Sequence, residues 1–398
     1  MKKIFSHVQT SVRKYWVALI LGLLILGIGL AQAHAALLDG LFSDLEEGWA
    51  EDAAEKGETL TIGDFYQAEV PDAHGPIGTM ANHTHNYGEF MFSYRYMNMF
   101  MKGTLNGTDG ISDQNVVRPT QVGGEGFVVT PTDMTMQMHM FSGMWGMTDT
   151  LTWMLMVPYI ENDMNHLTRG GGTFRTSSNG IGDVRLVSMW RLYAIESPSI
   201  GAHKTHFNFG VGFPTGSINA EDVVPRPPNQ GGGKFRTTLP YPMQLGSGTF
   251  SIVPSLAYLW GSGDFSAGVM PKGFVYLGEN SQDYAVGNKF NLNSWGAYRA
   301  ADWISLSVRL NYEWWANYRG ADPRFDQAVQ RQLVYTVFPN LRGGERLDML
   351  GGANVLFPEF MGYETRLAVE YGQPIYQNLE GPQLATDHVL WLGFQLVH

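Results

Sequence analysis

The stretch Trp303–Trp315, WISLSVRLNYEWW, alternates between two kinds of side chain. Even-numbered positions from Ile304 to Trp314 are apolar or aromatic, and the odd-numbered positions between them are polar or charged. Successive side chains of a strand point to opposite faces, so this period of two predicts a β-strand with one apolar and one wet face. In a soluble sandwich the apolar face would be core and the wet face would meet solvent. The fold therefore depends on how many such strands there are and how they are connected.

Twelve stretches between residues 88 and 398 are predicted strands: 88–101, 133–145, 150–161, 180–195, 202–213, 246–260, 262–277, 287–300, 303–316, 346–357, 362–373 and 387–398. Their connections alternate between long ones (102–132, 162–179, 214–245, 278–286, 317–345, 374–386) and short ones (146–149, 196–201, 261, 301–302, 358–361). Outer-membrane barrels have long extracellular loops, short periplasmic turns and an even number of strands. We therefore predict an all-β fold, a transmembrane antiparallel β-barrel of about 12 strands, with both termini periplasmic.

Composition and aromatic placement favour the same class. The chain has 48 Gly, 22 Phe, 18 Tyr and 11 Trp but only 16% charged residues, which suits strands between lipid and a lumen. Aromatic girdles are expected at both membrane interfaces. Candidates beside short turns are Trp145, Trp260, Tyr298 and Trp303, and candidates at the opposite strand ends are Tyr159, Trp314, Trp315 and Tyr318.

Residues 1–35 have the features of a secretory signal peptide. Four basic residues precede an apolar run at 17–30, and Ala33-His34-Ala35 fits the small-x-small cleavage pattern. The run of about 14 residues is shorter than the ~20 that a spanning helix needs. Loss of these four positive charges would take the net charge from −11 to −15, which argues against nucleic acid as a partner. We expect the mature protein in the outer membrane.

Residues 36–87 differ from the strand region that begins at 88. Leu37, Leu38, Leu41, Leu45 and Trp49 recur at near-helical spacing among acidic residues, which predicts a short amphipathic helix. We expect 36–87 to be an acidic periplasmic segment or a plug, the alternative being a solvated N-terminal arm.

Several longer motifs resemble a known family. His74–Met80, His83-Thr84-His85 and Gly88–Met97 resemble the opening of a family of bacterial outer-membrane transporters, the phenol-degradation meta-pathway type of β-barrel. Further similar motifs are Gly182–Leu186, Phe213–Ser217, Met243–Thr249 and Gly381–Leu384, so the resemblance extends from about residue 74 to the end. It implies an outer-membrane barrel that transports small, aromatic or hydrophobic solutes.

Charged residues on the strands are the candidate transport residues. Arg or Lys facing lipid at the membrane midplane would cost about 2–4 kcal/mol, so we expect these side chains to face the lumen. The predicted lumen residues are Glu89, Arg95, Asp183, Arg185, Arg309, Glu313, Arg366 and Glu370. Arg309 and Glu313 share one face, and we predict that such opposed charges select dipolar solutes over simple ions. These charges have two interpretations: they line a polar conduit, or they form salt bridges that seal the barrel interior.

Histidine and methionine residues raise the question of a metal. His74, His83 and His85 precede the first strand, and imidazole with thioether suits copper whereas imidazole alone suits zinc. The alternative for this segment is a polar entry to the barrel or a pH-sensitive plug. Met134, Met136, Met138 and Met140 mark one face of the second strand. We expect Gln137 and His139 to occupy its lumen face, leaving the methionines as wall filler.

The leading functional expectation is an outer-membrane channel or transporter for small, aromatic or hydrophobic solutes, without a cofactor. A periplasm-facing barrel that binds copper or zinc and an outer-membrane hydrolase are the alternatives. No G-x-S-x-G element is present, and we expect no enzyme activity. The expected partners are outer-membrane lipid, a small-molecule solute and the barrel-assembly machinery.

Overall fold

The computed structural model describes residues 61–62, 70–118, 126–197, 201–226, 232–360 and 362–398. The predicted signal peptide and most of 36–87 lie outside these described residues. The chain divides into two units, of which the first comprises 1–63 and 195–199. In its described part, Thr61 pairs with Glu196 and Ile62 with Ile195. The second unit, 64–194 and 200–398, contains the barrel.

Strands account for most of the described chain. They are β1 (Thr61–Ile62), β2 (Phe90–Gly107), β3 (Asp109–Ile111), β4 (Val129–Thr148), β5 (Leu151–Thr168), β6 (Thr173–Ile181), β7 (Arg185–Ser197), β8 (Gly201–Gly212), β9 (Glu221–Pro225), β10 (Lys234–Thr238), β11 (Ser251–Ser262), β12 (Phe265–Tyr276), β13 (Tyr284–Ala285), β14 (Lys289–Ala301), β15 (Ile304–Trp315), β16 (Arg319–Gly320), β17 (Gly344–Phe360) and β18 (Tyr363–Val397). Two short helices lie in the loops, α1 (Asp113–Val117) and α2 (Asp326–Gln330). No described helix is long and apolar enough to cross a membrane.

Eleven of these strands close into a barrel in the order β7-β8-β11-β12-β14-β15-β17-β18-β2-β4-β5, with β5 pairing back to β7. The last, β18, is 35 residues long and crosses the wall twice. Its first part pairs with β17 and its second part with β2, both antiparallel. The two parts face each other as a hairpin: Arg366 Nη1 donates to Gln395 Oε1 at 2.7 Å, and Gln377 Nε2 donates to the Thr386 carbonyl at 2.9 Å. Because neighbours in an all-antiparallel ring must alternate in direction, the wall consists of twelve crossings.

Each of the twelve predicted strands is present, and the predicted barrel fold is confirmed. Two predicted long loops are mostly strand: residues 374–386 continue both strands of the β18 hairpin almost to its turn, and residues 162–179 contain the end of β5 and most of β6. Two-residue alternation cannot show where a strand leaves the membrane, so strands that continue into water were predicted too short. β2 has 18 residues and β4 has 20, against about 9–11 needed to span a bilayer.

The wall is apolar outside and polar inside, the reverse of a soluble protein. On β15, Leu306, Val308 and Leu310 are 51%, 53% and 40% exposed, whereas Ser305 is fully buried and Arg309 is 4% exposed. Water would make such an exterior unfavourable, whereas lipid solvates it. The aromatic residues Trp145, Tyr298 and Trp303 are exposed beside short turns, as predicted for a girdle.

The orientation predicted for the second strand is wrong. On β4, Met134 and Met140 are buried, and His139 Nδ1 lies 2.7 Å from the hydroxyl of Tyr94 among the outer aromatic side chains. Gln137 and His139 lie near the middle of this 20-residue strand, and the His139 ring contacts the rings of Tyr94, Tyr96 and Tyr159. These two polar residues of β4 therefore lie on its outer face.

Long loops pack against each other at one end of the barrel. Tyr241 contacts Tyr284, Tyr318 and Phe325 at ring-centroid distances of 4.9, 5.0 and 5.2 Å. Tyr318 therefore belongs to this loop cluster. The prediction that it joins an outer aromatic girdle, made from its position after β15, is wrong. The short turns lie at the other end, where β2 begins.

Candidate functional site in the barrel lumen

The segment 70–87 lies inside the barrel and enters at the end that carries the short turns. The Pro71 carbonyl accepts a hydrogen bond from Ser305 Oγ at 2.9 Å. The Asp72 carboxylate pairs with Arg299 Nε at 2.6 Å, and both wall partners are at strand ends next to the turn at 302–303. These contacts fix the point of entry.

From there the segment runs up the lumen along β18. The Gly75 carbonyl accepts from Arg366 Nη2 at 2.9 Å, and the Gly78 N–H donates to Glu370 Oε2 at 3.0 Å. Four residues of strand separate these two partners, a rise of roughly 13 Å. Ile77 packs against Gly393, where an added Cβ would lie 2.3 Å from the Ile77 side chain. The absence of a side chain at Gly393 thus makes room for the segment.

The segment turns at Met80 and Ala81, near the middle of the wall. The Met80 carbonyl accepts from Lys272 Nζ at 3.2 Å, and the Ala81 carbonyl accepts from Asn208 Nδ2 at 2.9 Å and from His206 Nε2 at 3.2 Å. Ala81 has a φ of 59°, a left-handed conformation that costs a non-glycine residue free energy. Three wall side chains hold this turn in place.

The descending part is anchored on β5 and leads into β2. The His85 N–H donates to Thr152 Oγ1 at 2.8 Å, and the Thr152 hydroxyl donates to the His85 carbonyl at 3.2 Å. His85 Nδ1 lies 3.2 Å from Glu89 Oε2. The hydrogen bond from His85 lowers the pKa of Glu89 to about 2, with the Asn86 backbone N–H acting in the same direction.

The three predicted metal ligands, His74, His83 and His85, lie next to one another in the segment. The His83 ring meets His74 edge-on at 5.0 Å and His85 at 5.1 Å between centroids. Among the residues that the structure describes, no group of three His, Asp or Glu side chains could hold a metal ion. His83 Nδ1 lies 2.6 Å from Asn82 Oδ1 and His85 Nδ1 is engaged with Glu89, and a metal site at His74, His83 and His85 stays a prediction.

Two of these histidines, His74 and His83, have pKa values below the usual range of histidine because they are buried inside the barrel. Burial, followed by the positive charge of Arg366, lowers the pKa of His74 well below its usual 6.5. Burial, followed by His74, has the same effect on the pKa of His83. Protonation at either position would place a cation in a buried, cation-rich surrounding, so low pH opposes the buried position of the segment.

Two clusters of ion pairs join nearby strands on the inner face of the barrel. Arg309 binds Glu370 through Nε–Oε1 at 2.6 Å and Nη2–Oε2 at 2.9 Å, and its Nη1 donates to Asn293 Oδ1 at 2.6 Å. Arg346 pairs with Glu313 at 2.9 Å and with Asp348 at 2.9 Å. The opposed charges predicted on β15 therefore find partners on neighbouring strands, because side chains on one face of a strand project in parallel and do not converge.

A cavity of about 260 Å³ lies directly above the tip of the segment. Gly78, Met80 and Ala81 line it from below. One arc of its wall, from β12 to β17, is polar: Lys272, Asn291, Asn293, Arg309, Asn311, Glu313, Arg346 and Asp348. The facing arc, from β18 through β2 and β4 to β5, is apolar: Val389, Trp391, Met97, Met99, Met138, Met140 and Met156. The cavity is therefore amphipathic.

The predicted lumen residues divide into three groups. Arg185, Arg309 and Glu313 line the cavity, and Glu370 lies behind Arg309. Arg95 and Arg366 are buried in the lumen, Arg366 against the ascending segment. Glu89 and Asp183 lie outside the strands. The Asp183 carboxylate accepts from the Gly216 N–H at 3.0 Å and the Ser247 N–H at 2.8 Å, so it braces two loops.

Sequence reasoning missed Lys272 and Arg346. A usable signal existed for Lys272, which is a single charge in the middle of the apolar strand β12. Such a residue must face the lumen because lipid would not solvate it. Arg346 stands near a strand end, where no such constraint applies.

Comparison with known proteins agrees with the fold. No family model matches the chain, and no curated protein sequence matches it. Among solved structures, the COG4313 outer membrane channel from Pseudomonas putida F1 has a TM-score of 0.51 at 13% identity, covering 80% of this chain and 99% of that chain. The P. putida toluene transporter TodX has a TM-score of 0.39 at 11% identity, covering 77% and 89%, and is too dissimilar to add to the argument.

The wall, its apolar exterior and this likeness define an outer-membrane β-barrel. The fold and the outer-membrane location predicted from the sequence, and implied by the resemblance, are confirmed.

Proposed function

We propose that this protein is an outer-membrane channel for small hydrophobic or aromatic solutes. The observation that carries the proposal is the amphipathic cavity of about 260 Å³ in the lumen that the membrane-spanning wall encloses. Ligand sites are typically apolar cavities with a few placed polar groups, which describes this one. The similar barrel from P. putida F1 is an outer membrane channel, in keeping with this role.

We further propose that residues 70–87 are a plug that closes the periplasmic end. Support comes from their hydrogen bonds to side chains of β5, β8, β12, β14, β15 and β18. Most of these bonds involve backbone carbonyls of the segment, so they hold its path without requiring many particular side chains. A solute that leaves the cavity toward the periplasm must displace or pass this segment.

Planar-bilayer recording of the purified barrel tests the channel role. Ions should give a small conductance, and benzamide, a neutral aromatic solute, should interrupt it in a concentration-dependent way as it enters the cavity. Val253→Trp should reduce both effects because Val253 lines the cavity. Val308→Trp is the matched control, since Val308 is 53% exposed on the outer face. Absence of conductance and of benzamide block in the folded wild type would overturn the proposed function.

A further inference from the structure

The cavity contains more positive than negative groups. Four cationic side chains line it, Arg185, Lys272, Arg309 and Arg346, together with two carboxylates, Glu313 and Asp348. Arg309 is neutralised by Glu370 at 2.6 Å, and Arg346 by Asp348 and Glu313, each at 2.9 Å. The carboxylates of the cavity are thus already bound, and two cations remain.

Arg185 and Lys272 are these two cations. Within the described part of the chain, neither forms an ion pair within 4.0 Å. Lys272 donates only to a neutral acceptor, the Met80 carbonyl, at 3.2 Å. Arg185 lies over the Phe274 ring at 5.2 Å, and its Nε has no hydrogen-bond partner among the described residues. Phe274 and Lys272 are two residues apart on β12 and so share one face, which places the Arg185 guanidinium and the Lys272 ammonium on the same part of the cavity wall.

An uncompensated cation in a partly desolvated cavity is costly, and an anion between the two would relieve the cost. Lysine and arginine both form strong charge-assisted hydrogen bonds to carboxylates. The polar arc therefore presents a site for one negative group, at a position where the chain itself supplies none.

The facing arc indicates what the rest of the ligand is. Met97, Met99, Met138, Met140 and Met156 present thioethers to the same cavity, and Trp391 adds an aromatic surface. Methionine adapts to irregular shapes and makes favourable contacts with aromatic rings. A small inorganic anion would leave this arc empty, whereas an organic anion with an apolar body would cover it.

The volume sets the size of that body. A cavity of roughly 150 Å³ is enough to bind benzene. The present cavity, about 260 Å³, has room for one ring with a carboxylate but is smaller than the ~300–1,000 Å³ typical of drug-sized ligands.

We propose that Lys272 and Arg185 form a recognition site for the carboxylate of a small aromatic acid, whose ring lies against the methionine arc. This inference rests on the proposed channel function and specifies its solute class. The site binds the anion between β7 and β12, and the Phe274 ring keeps the Arg185 guanidinium in place for that contact.

The test compares three probes on the purified full-length mature barrel in detergent at pH 7: benzoate, benzamide and acetate. Calorimetric binding should be at least tenfold tighter for benzoate than for benzamide, which has the same ring without the charge, and acetate should bind more weakly than benzoate. Lys272→Gln should reduce benzoate affinity about tenfold or more, the loss of one charge-assisted hydrogen bond, and should change benzamide affinity much less, because benzamide has no carboxylate. Lys289→Gln is the matched control, because Lys289 lies on the adjacent strand β14 outside the cavity lining.

Arg185→Gln provides a second test if the Lys272 variant does not fold, with the same loss expected for benzoate alone. Equal binding of benzoate and benzamide, or equal benzoate affinity in wild type and both variants, overturns the inference. If benzamide still blocks conductance in that case, the channel function stands without the anion site. If neither probe binds nor blocks, the channel function fails as well.

Discussion

Removal of Glu370 is the sharpest test of how the lumen is held together. In Glu370→Ala, Arg309 loses both hydrogen bonds of its bidentate pair, and the Gly78 N–H loses its acceptor. The side chains of Arg309 and Glu370 are 4% and 1% exposed, so solvent does not replace the lost partner. The variant should therefore be both less stable and less tightly plugged.

The magnitude follows from burial. Breaking a buried ion pair by removing one partner costs about 3–5 kcal/mol. Arg309 keeps Asn293 as an acceptor at 2.6 Å, so we expect the lower end, about 3 kcal/mol. Glu313→Ala is the matched control: its carboxylate side chain is 40% exposed, and Arg346 keeps Asp348. A pair this exposed contributes about 0–1 kcal/mol.

Urea-induced unfolding in lipid vesicles, followed by tryptophan fluorescence, measures the free energy of unfolding of both variants. Glu370→Ala should lose about 2 kcal/mol more than Glu313→Ala, roughly a thirtyfold difference in the unfolding equilibrium. Its planar-bilayer conductance should also exceed that of wild type. Equal stability of the two variants would refute the inference that the Arg309–Glu370 pair is a buried structural link between wall and plug.

Three further outcomes follow from the contacts of residues 70–87. Gly393→Val should raise conductance by displacing Ile77, whereas Gly351→Val should not, because nothing lies within 4 Å of a Cβ at Gly351; equal conductance in planar bilayers would count against the plug. The depressed pKa of Glu89, about 2 against an ordinary 4.5, adds stability that is complete above pH 4.5 and is lost as pH falls toward 2. The urea midpoint of Glu89→Gln should lack that pH-dependent component, and a midpoint that falls with pH as in wild type would show that Glu89 does not contribute. His83→Ala/His85→Ala should match wild type in copper and zinc titrations, since the described residues contain no three-ligand group; weaker metal binding by the double variant would support the predicted metal site.

The alternation along Trp303–Trp315 was sufficient to predict both faces of β15, because a period of two is a local property of extended backbone. Repeated twelve times with alternating loop lengths, it also determined the barrel and its location. The charges of Arg309 and Glu370 could be assigned to the lumen from the cost of placing them in lipid. None of this requires knowing which residues pair across neighbouring strands.

The tertiary structure decided what local patterns leave open. Arg309 finds Glu370 on a strand two positions away in the wall, a partnership that depends on register across β17. The inner face of β4 had to be read from packing, because both of its faces combine apolar and polar residues. The burial of residues 70–87 arises from bonds to β5, β8, β12 and β18, each more than 60 residues away in sequence. Closure of the barrel brings these distant groups around one lumen, and the cavity with its two unpaired cations exists only because of that closure.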